Sequence, residues 1–124
     1  MFETLTRAKL RACFLDDLGQ LIFVVQPGEI GKAIGKKGSN IRRLEGLLKK
    51  RIKLVEYSED LRHFIENLIY PIKAKEIGEN EGTVTIKSAD LKSRGFLIGR
   101  DAKNLRNYEN TVKKYFEIKE IRVV

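Results

Sequence analysis

Two short apolar-rich runs, residues 8–15 and 20–26, flank the turn-forming string Asp16-Asp17-Leu18-Gly19 and predict a strand pair. A second pair is expected over 72–77 and 83–87, joined through Gly78-Glu79-Asn80-Glu81-Gly82. A short helical stretch follows each pair, at 28–34 and 89–97. A longer helix comes next. Its apolar face is read as Ile41, Leu44, Leu47 and Leu48 in the first case and as Leu105, Tyr108, Val112 and Tyr115 in the second. Strands close both stretches, at 52–56 and 117–124. Between them, Leu61, Phe64, Ile65, Leu68 and Ile69 form the apolar stripe of a helix over 59–70. Ser58, Glu59 and Asp60 supply its acidic start and Pro71 its end.

The order of elements is that of an α/β (α+β) module present twice. Sliding the chain by 64 positions brings Gly31, Ile34 and Gly35 onto Gly95, Ile98 and Gly99. The same shift brings Asn40, Arg42, Glu45, Lys49 and Lys50 onto Asn104, Arg106, Glu109, Lys113 and Lys114. A duplicated unit explains this ungapped agreement. The expected division is 1–58 and 59–124, without a Gly/Ser linker.

Agreement is densest around Ile34-Gly35-Lys36-Lys37-Gly38-Ser39-Asn40-Ile41. Two glycines bracket two lysines, and an amphipathic helix follows at once. Glycine lets a ligand approach the backbone, helix-start amides favour an anion, and the lysines add mobile positive charge. A chain of phosphates suits such a corner. The competing reading is packing: Gly31 and Gly35 could let two helices approach, and Gly38 could serve a turn. Arg42, Arg43, Lys49, Lys50, Arg51 and Lys53 extend the field. From Gly28 to Glu56 nine Lys/Arg face three Asp/Glu, a net of +6. The 124-residue chain as a whole carries +8, which suits a polyanionic partner.

These residues, in hairpin–helix–GxxG–helix–strand order, resemble a KH domain of the second, prokaryotic type. Two such units in one short chain resemble the tandem KH proteins of archaea related to the transcription factor NusA. The resemblance implies two tandem type II KH domains, each a small mixed three-stranded sheet covered by helices. It implies single-stranded RNA clamped over about four nucleotides at the GxxG loop. The RNA-binding residues would be Ile34, Gly35, Lys36, Lys37, Gly38, Ser39, Asn40, Ile41, Arg42 and Arg43. Ile34, Ile41 and residues of 52–55 would wall a groove for the bases. A weaker second site would use Gly99, Arg100, Lys103, Asn104 and Arg106. There Ala102 replaces the second glycine, so its Cβ should restrict the backbone, and Asp101 should repel phosphate or pair with Arg100 or Lys103. The resemblance suggests a role in transcription elongation or termination and leaves contact with RNA polymerase open. A ribosome-associated KH protein or assembly factor would use the same loop, and a protein-interaction scaffold would not need it.

Enzyme templates fit poorly, so the chain reads as non-catalytic. Cys13 and His63 are the only cysteine and histidine, which leaves no metal cluster and no cofactor site. Ile30 stands where a P-loop needs glycine, and Gly31, Gly35 and Gly38 miss the dinucleotide spacing. No small-molecule substrate is expected. Cys13 lies in the run Ala12-Cys13-Phe14-Leu15 and is expected to be a buried small hydrophobe. With no disulfide, no apolar run long enough for a membrane span and no signal-like start, the expected location is cytoplasmic.

Overall fold

The computed structural model describes Phe2, Thr6 and residues 9–124, with Lys37 described by its backbone alone. Residue 8 of the expected first strand lies outside the described residues. The chain divides into two compact units, Met1–Glu59 and Asp60–Val124. No described helix is long and apolar enough to cross a membrane.

The first unit runs β1 (Leu10–Leu15), β2 (Leu21–Val25), α1 (Ile30–Ile34), a 3-10 turn (Lys36–Gly38), α2 (Ser39–Leu48) and β3 (Ile52–Glu56). Its sheet has the order β1-β2-β3. β1 is antiparallel to β2, which a tight turn permits: Asp16 accepts the amides of Leu18 and Gln20 through Oδ1, at 3.0 and 2.8 Å. β2 is parallel to β3, which requires a crossover, and α1, the 3-10 turn and α2 are that crossover. The glycine corner therefore sits in the middle of the one connection that the mixed sheet cannot do without.

Phe23, Val25, Ala33, Leu44 and Ile52 form the core of this unit, and Phe2 stacks on Phe23 with ring centroids 4.5 Å apart. Glu45 Oε2 accepts the Ile52 amide at 3.2 Å, so α2 also fixes where β3 begins. The Arg11 guanidinium lies 3.8 Å from the centre of the Tyr57 ring, a cation–π contact.

The second unit runs α3 (Leu61–Ile69), β4 (Ala74–Asn80), β5 (Thr83–Ser88), α4 (Leu91–Ile98), a 3-10 turn (Arg100–Ala102), α5 (Lys103–Lys113) and β6 (Glu120–Val123). Its sheet repeats the mixed pattern, with β4 antiparallel and β6 parallel to β5. Asp60 and Asp90 cap α3 and α4 by accepting the amides of Arg62 and Ser93 at 2.9 and 2.7 Å. Phe64, Ile65, Leu68 and Ile69 are buried as the stripe predicts, and Tyr115 and Phe116 pack their rings on Phe64. Glu109 repeats the role of Glu45: its Oε2 accepts the Ile121 amide at 2.9 Å.

Four expectations change. Cys13 is exposed, because β1 is an edge strand and only Leu10, Ala12 and Phe14 turn inward. Partial burial still pushes its thiol up from the ordinary cysteine range. Leu47 is 63% exposed: at 3.6 residues per turn it falls about 100° from Leu48 and about 120° from Ile41, off the buried face. In α5 the polar residues Asn107 and Thr111 are buried beside Val112, which apolar periodicity alone does not reveal. The expected loop 78–82 shrinks to the pair Glu81-Gly82. Both take positive φ, 51° and 87°, as a two-residue hairpin turn requires. Glu79 closes the turn by accepting the Gly82 amide at 2.8 Å.

Candidate nucleic-acid interface

The corner begins where α1 stops. The Gly35 amide donates to the Gly31 carbonyl at 3.1 Å, and the chain then turns out of the helix with Gly35 at φ 74°, ψ 175°. That region is almost closed to residues with a side chain. Gly38 follows in the left-handed region, φ 74°, ψ 17°, and its amide closes the 3-10 turn on the Gly35 carbonyl at 3.3 Å. Ser39 opens α2, and Gly38 at the cap position has no side chain with which to cover the helix start. A helix start without a side-chain cap favours an anion.

Asn40 explains why the corner holds its shape. Its Nδ2 donates to the Lys32 carbonyl at 2.9 Å, bridging from α2 back to the last turn of α1. Its amide group also fills the space beside Gly35: a Cβ added there would lie 2.7 Å from Asn40 Cγ and Nδ2. Gly35 and Asn40 are thus one interlocked pair. Asn40, expected among the RNA contacts, holds the backbone of the corner in place. The signal was present in the repeat, which preserves the spacing as Gly99 and Asn104.

Around the corner Lys36, Arg42 and Arg43 are exposed, and Ile34 is 36% exposed beside a half-buried Ile41. The Lys37 side chain lies outside the described part. Ile52 and Val55 are core residues, 7% and 1% exposed, whereas Leu54 is half-buried like Ile41. Lys49, Lys50 and Arg51 follow the far end of α2, which at 10 residues puts them about 15 Å from the corner. Lys53 on β3 is half-buried, and this burial pushes its ammonium below the ordinary lysine range, against the opposing pull of Asp16. The positive field is therefore less uniform than the sequence suggests.

Packing does not account for Gly31. Among the described residues nothing lies within 4 Å of the position its Cβ would take, so none of the described helices depends on its being small. Glu29, just ahead of α1, accepts the Lys9 amide at 3.0 Å and pairs with Lys32 at 3.3 Å. The backbone bond to Lys9 and the Lys32 ammonium hold its carboxyl below the usual glutamate range. A lowered folded-state value means stability that is present above the unfolded value of about 4.3 and lost as pH falls through the folded one. Glu29→Gln should flatten that acid-side loss by slightly lowering the melting temperature above about pH 5, while leaving it unchanged near pH 2. A thermal melt series from pH 2 to 9 checks it.

The second corner has the same build. Gly99 sits at φ 72°, ψ 176°, and Asn104 Nδ2 donates to the Phe96 carbonyl at 2.8 Å. The Cβ of Ala102 leaves that residue in the left-handed region that Gly38 occupies, and a kink falls at Asp101. Ala102 takes φ 60°, ψ 24°, and Asp101 takes φ 55°, ψ 31°. Left-handed residues with a Cβ cost about 1–2 kcal/mol each, so this corner is kept at an expense the first avoids. Arg100, Lys103 and Arg106 are exposed around it, as is Asp101.

Mixed three-stranded sheets whose crossover is helix, glycine corner and helix define a nucleic-acid-binding class of fold. The family model for the KH domain matches residues 1–94. The probable transcription termination protein NusA of Methanocaldococcus jannaschii is 31% identical over 128 residues, covering 99% of this chain and 68% of that protein. Its counterpart in Methanococcus vannielii is 33% identical over 127 residues, covering 100% and 73%. That of Halococcus morrhuae is 31% identical, covering 99% and 89%. The crystal structure of APE1850 aligns with a TM-score of 0.77 at 32% identity, covering 99% of this chain and 92% of that one. The chain belongs to the KH-domain family, among its archaeal NusA-like members.

Proposed function

We propose that this protein is a non-catalytic binder of single-stranded RNA, that its KH units are residues 1–58 and 59–124, and that the first unit clamps the RNA through Gly35–Gly38. The observation that carries this reading is the Gly35 corner. It is a glycine-only backbone conformation, locked by Asn40, opening onto an uncapped helix start with Lys36 exposed. Phosphates can reach the backbone there and meet positive charge. Bases then turn toward Ile34 and Ile41. Relatives named as probable transcription termination proteins support a role in transcription elongation or termination, with the transcript as the strand held.

Titrating labelled single-stranded RNA at several salt concentrations tests the reading. A clamp on about four nucleotides gives a log affinity that falls with log salt at about −0.7 per neutralised phosphate, a total slope near −2 to −3. A flat and very weak response would leave a protein scaffold as the better description. Pull-down from cells then separates polymerase from ribosomal particles as the place where the RNA is met.

A further inference from the structure

We propose that Phe96 is a base-stacking platform beside the second corner, so that the second unit takes a nucleobase on an aromatic face where its phosphate clamp is weakened. The proposal rests on the RNA-binding reading above and adds a contact to it.

Phe96 is 54% exposed on α4, a helix in which only Leu97 is buried. Its carbonyl receives the Asn104 bond at 2.8 Å, as the Lys32 carbonyl receives that of Asn40 at 2.9 Å. Phe96 and Lys32 therefore hold equivalent places, one turn before their glycine corners. Lys32 is paired with Glu29 at 3.3 Å, whereas the second unit presents an aromatic ring at that place. The ring's backbone is fixed by Asn104, so its position relative to the Gly99 corner is set before any ligand arrives.

Charge decides the occupant. Residues three and four apart on a helix are neighbours, so Lys92 lies one turn before Phe96. Gly99 and Arg100 follow beyond the helix end, in the second corner itself. From Asp90 to Arg106 the sequence has five Lys/Arg and two Asp, a net of +3. The Asp90 carboxylate is engaged in capping Ser93. Leu91, also exposed, lies about 140° round the helix and does not extend the ring into an apolar patch. A lone flat ring with Lys92 one turn before it and Arg100 in the corner that follows matches a base between two phosphates better than it matches an apolar protein face. Stacking needs no backbone approach, so Ala102 and Asp101 leave this contact intact while they weaken the clamp.

The chain contains no tryptophan, so Phe96→Trp gives a single reporter at the site. On titration with ten-nucleotide oligoadenylate and oligouridylate, its emission should be quenched and should saturate together with binding. Phe96→Ala should weaken binding about 5- to 100-fold at an unchanged melting temperature, and Phe96→Tyr should retain it. If the wild type binds and Lys36→Asp weakens it, yet Phe96→Trp is not quenched and Phe96→Ala binds normally, the platform is wrong and the RNA clamp stands. If the wild type binds neither oligonucleotide, the RNA-binding reading itself fails. If Phe96→Ala instead abolishes self-association in sedimentation with RNA affinity unchanged, the ring belongs to a contact between copies, and the proposal is overturned.

Discussion

Replacing Lys36 and Lys37 together by aspartate is expected to lower affinity for single-stranded RNA by about 100-fold or more. The double change shifts the corner by four charge units and places two carboxylates where phosphates would cross. Folding should be spared. Lys36 is exposed, and the bonds that close the turn are backbone bonds, from the Gly38 amide to the Gly35 carbonyl and from the Ser39 amide to the Lys36 carbonyl. The melting temperature should thus remain within a degree or two while binding collapses. The salt slope should fall by about 1.4, the share of two phosphates. Arg100→Asp should cost less, because Asp101 already sets a negative charge in that corner. An equal loss at Arg100 would make the second corner a full clamp. Undiminished binding by the double variant would remove the first corner from the mechanism.

The sequence showed the positions of the strands and helices because each apolar run is bounded by a turn signal or a cap. Asp16-Asp17-Leu18-Gly19 and Asp60 do in the structure what their residue types suggest. The first corner was legible because two glycines that bracket lysines before an amphipathic helix have few other uses. What escaped notice depended on side chains meeting across elements. The bond from Asn40 to Lys32 spans eight residues, and that from Glu45 to Ile52 spans seven, and no helical or strand period connects them. The repeat keeps the first pair in step, as Asn104 with Phe96, whereas Glu109 meets Ile121 twelve residues on. Cys13 and Leu47 were misplaced for a related reason. An apolar residue in a short run has no partner in sequence to show which way it faces, and the edge of a sheet or of a helical stripe leaves it outside.

Gly35→Ala and Gly38→Ala should differ sharply, although both remove a glycine of the same loop. At Gly35 the backbone conformation costs a residue with a side chain about 1–3 kcal/mol. The new Cβ would also sit 2.7 Å from Asn40 Cγ and Nδ2 and 3.0 Å from the Asn40 backbone nitrogen. Asn40 can move only by giving up its bond to Lys32, worth about 1 kcal/mol, and its backbone nitrogen cannot give way alone. The first unit should lose about 3–4 kcal/mol in all, read by urea unfolding with amide exchange to separate the two units. At Gly38 the conformation is the ordinary left-handed one, and among the described residues an added Cβ meets only Arg42 Nη1, at 3.6 Å. Ala102 already occupies the matching place in the second unit at φ 60°. Gly38→Ala should therefore cost about 1 kcal/mol of stability, while its methyl group still stands where a phosphate would approach. Gly99→Ala, which meets Asn104 Cγ and Nδ2 at 2.7 Å, should reproduce the Gly35 result in the second unit. Asn40→Ala in the Gly35→Ala background should recover only the part of the loss due to side-chain contact, because the backbone conformation and the 3.0 Å contact remain. Equal costs at Gly35 and Gly38 would mean that the Asn40 lock contributes nothing, and that the corner is shaped by its glycines alone.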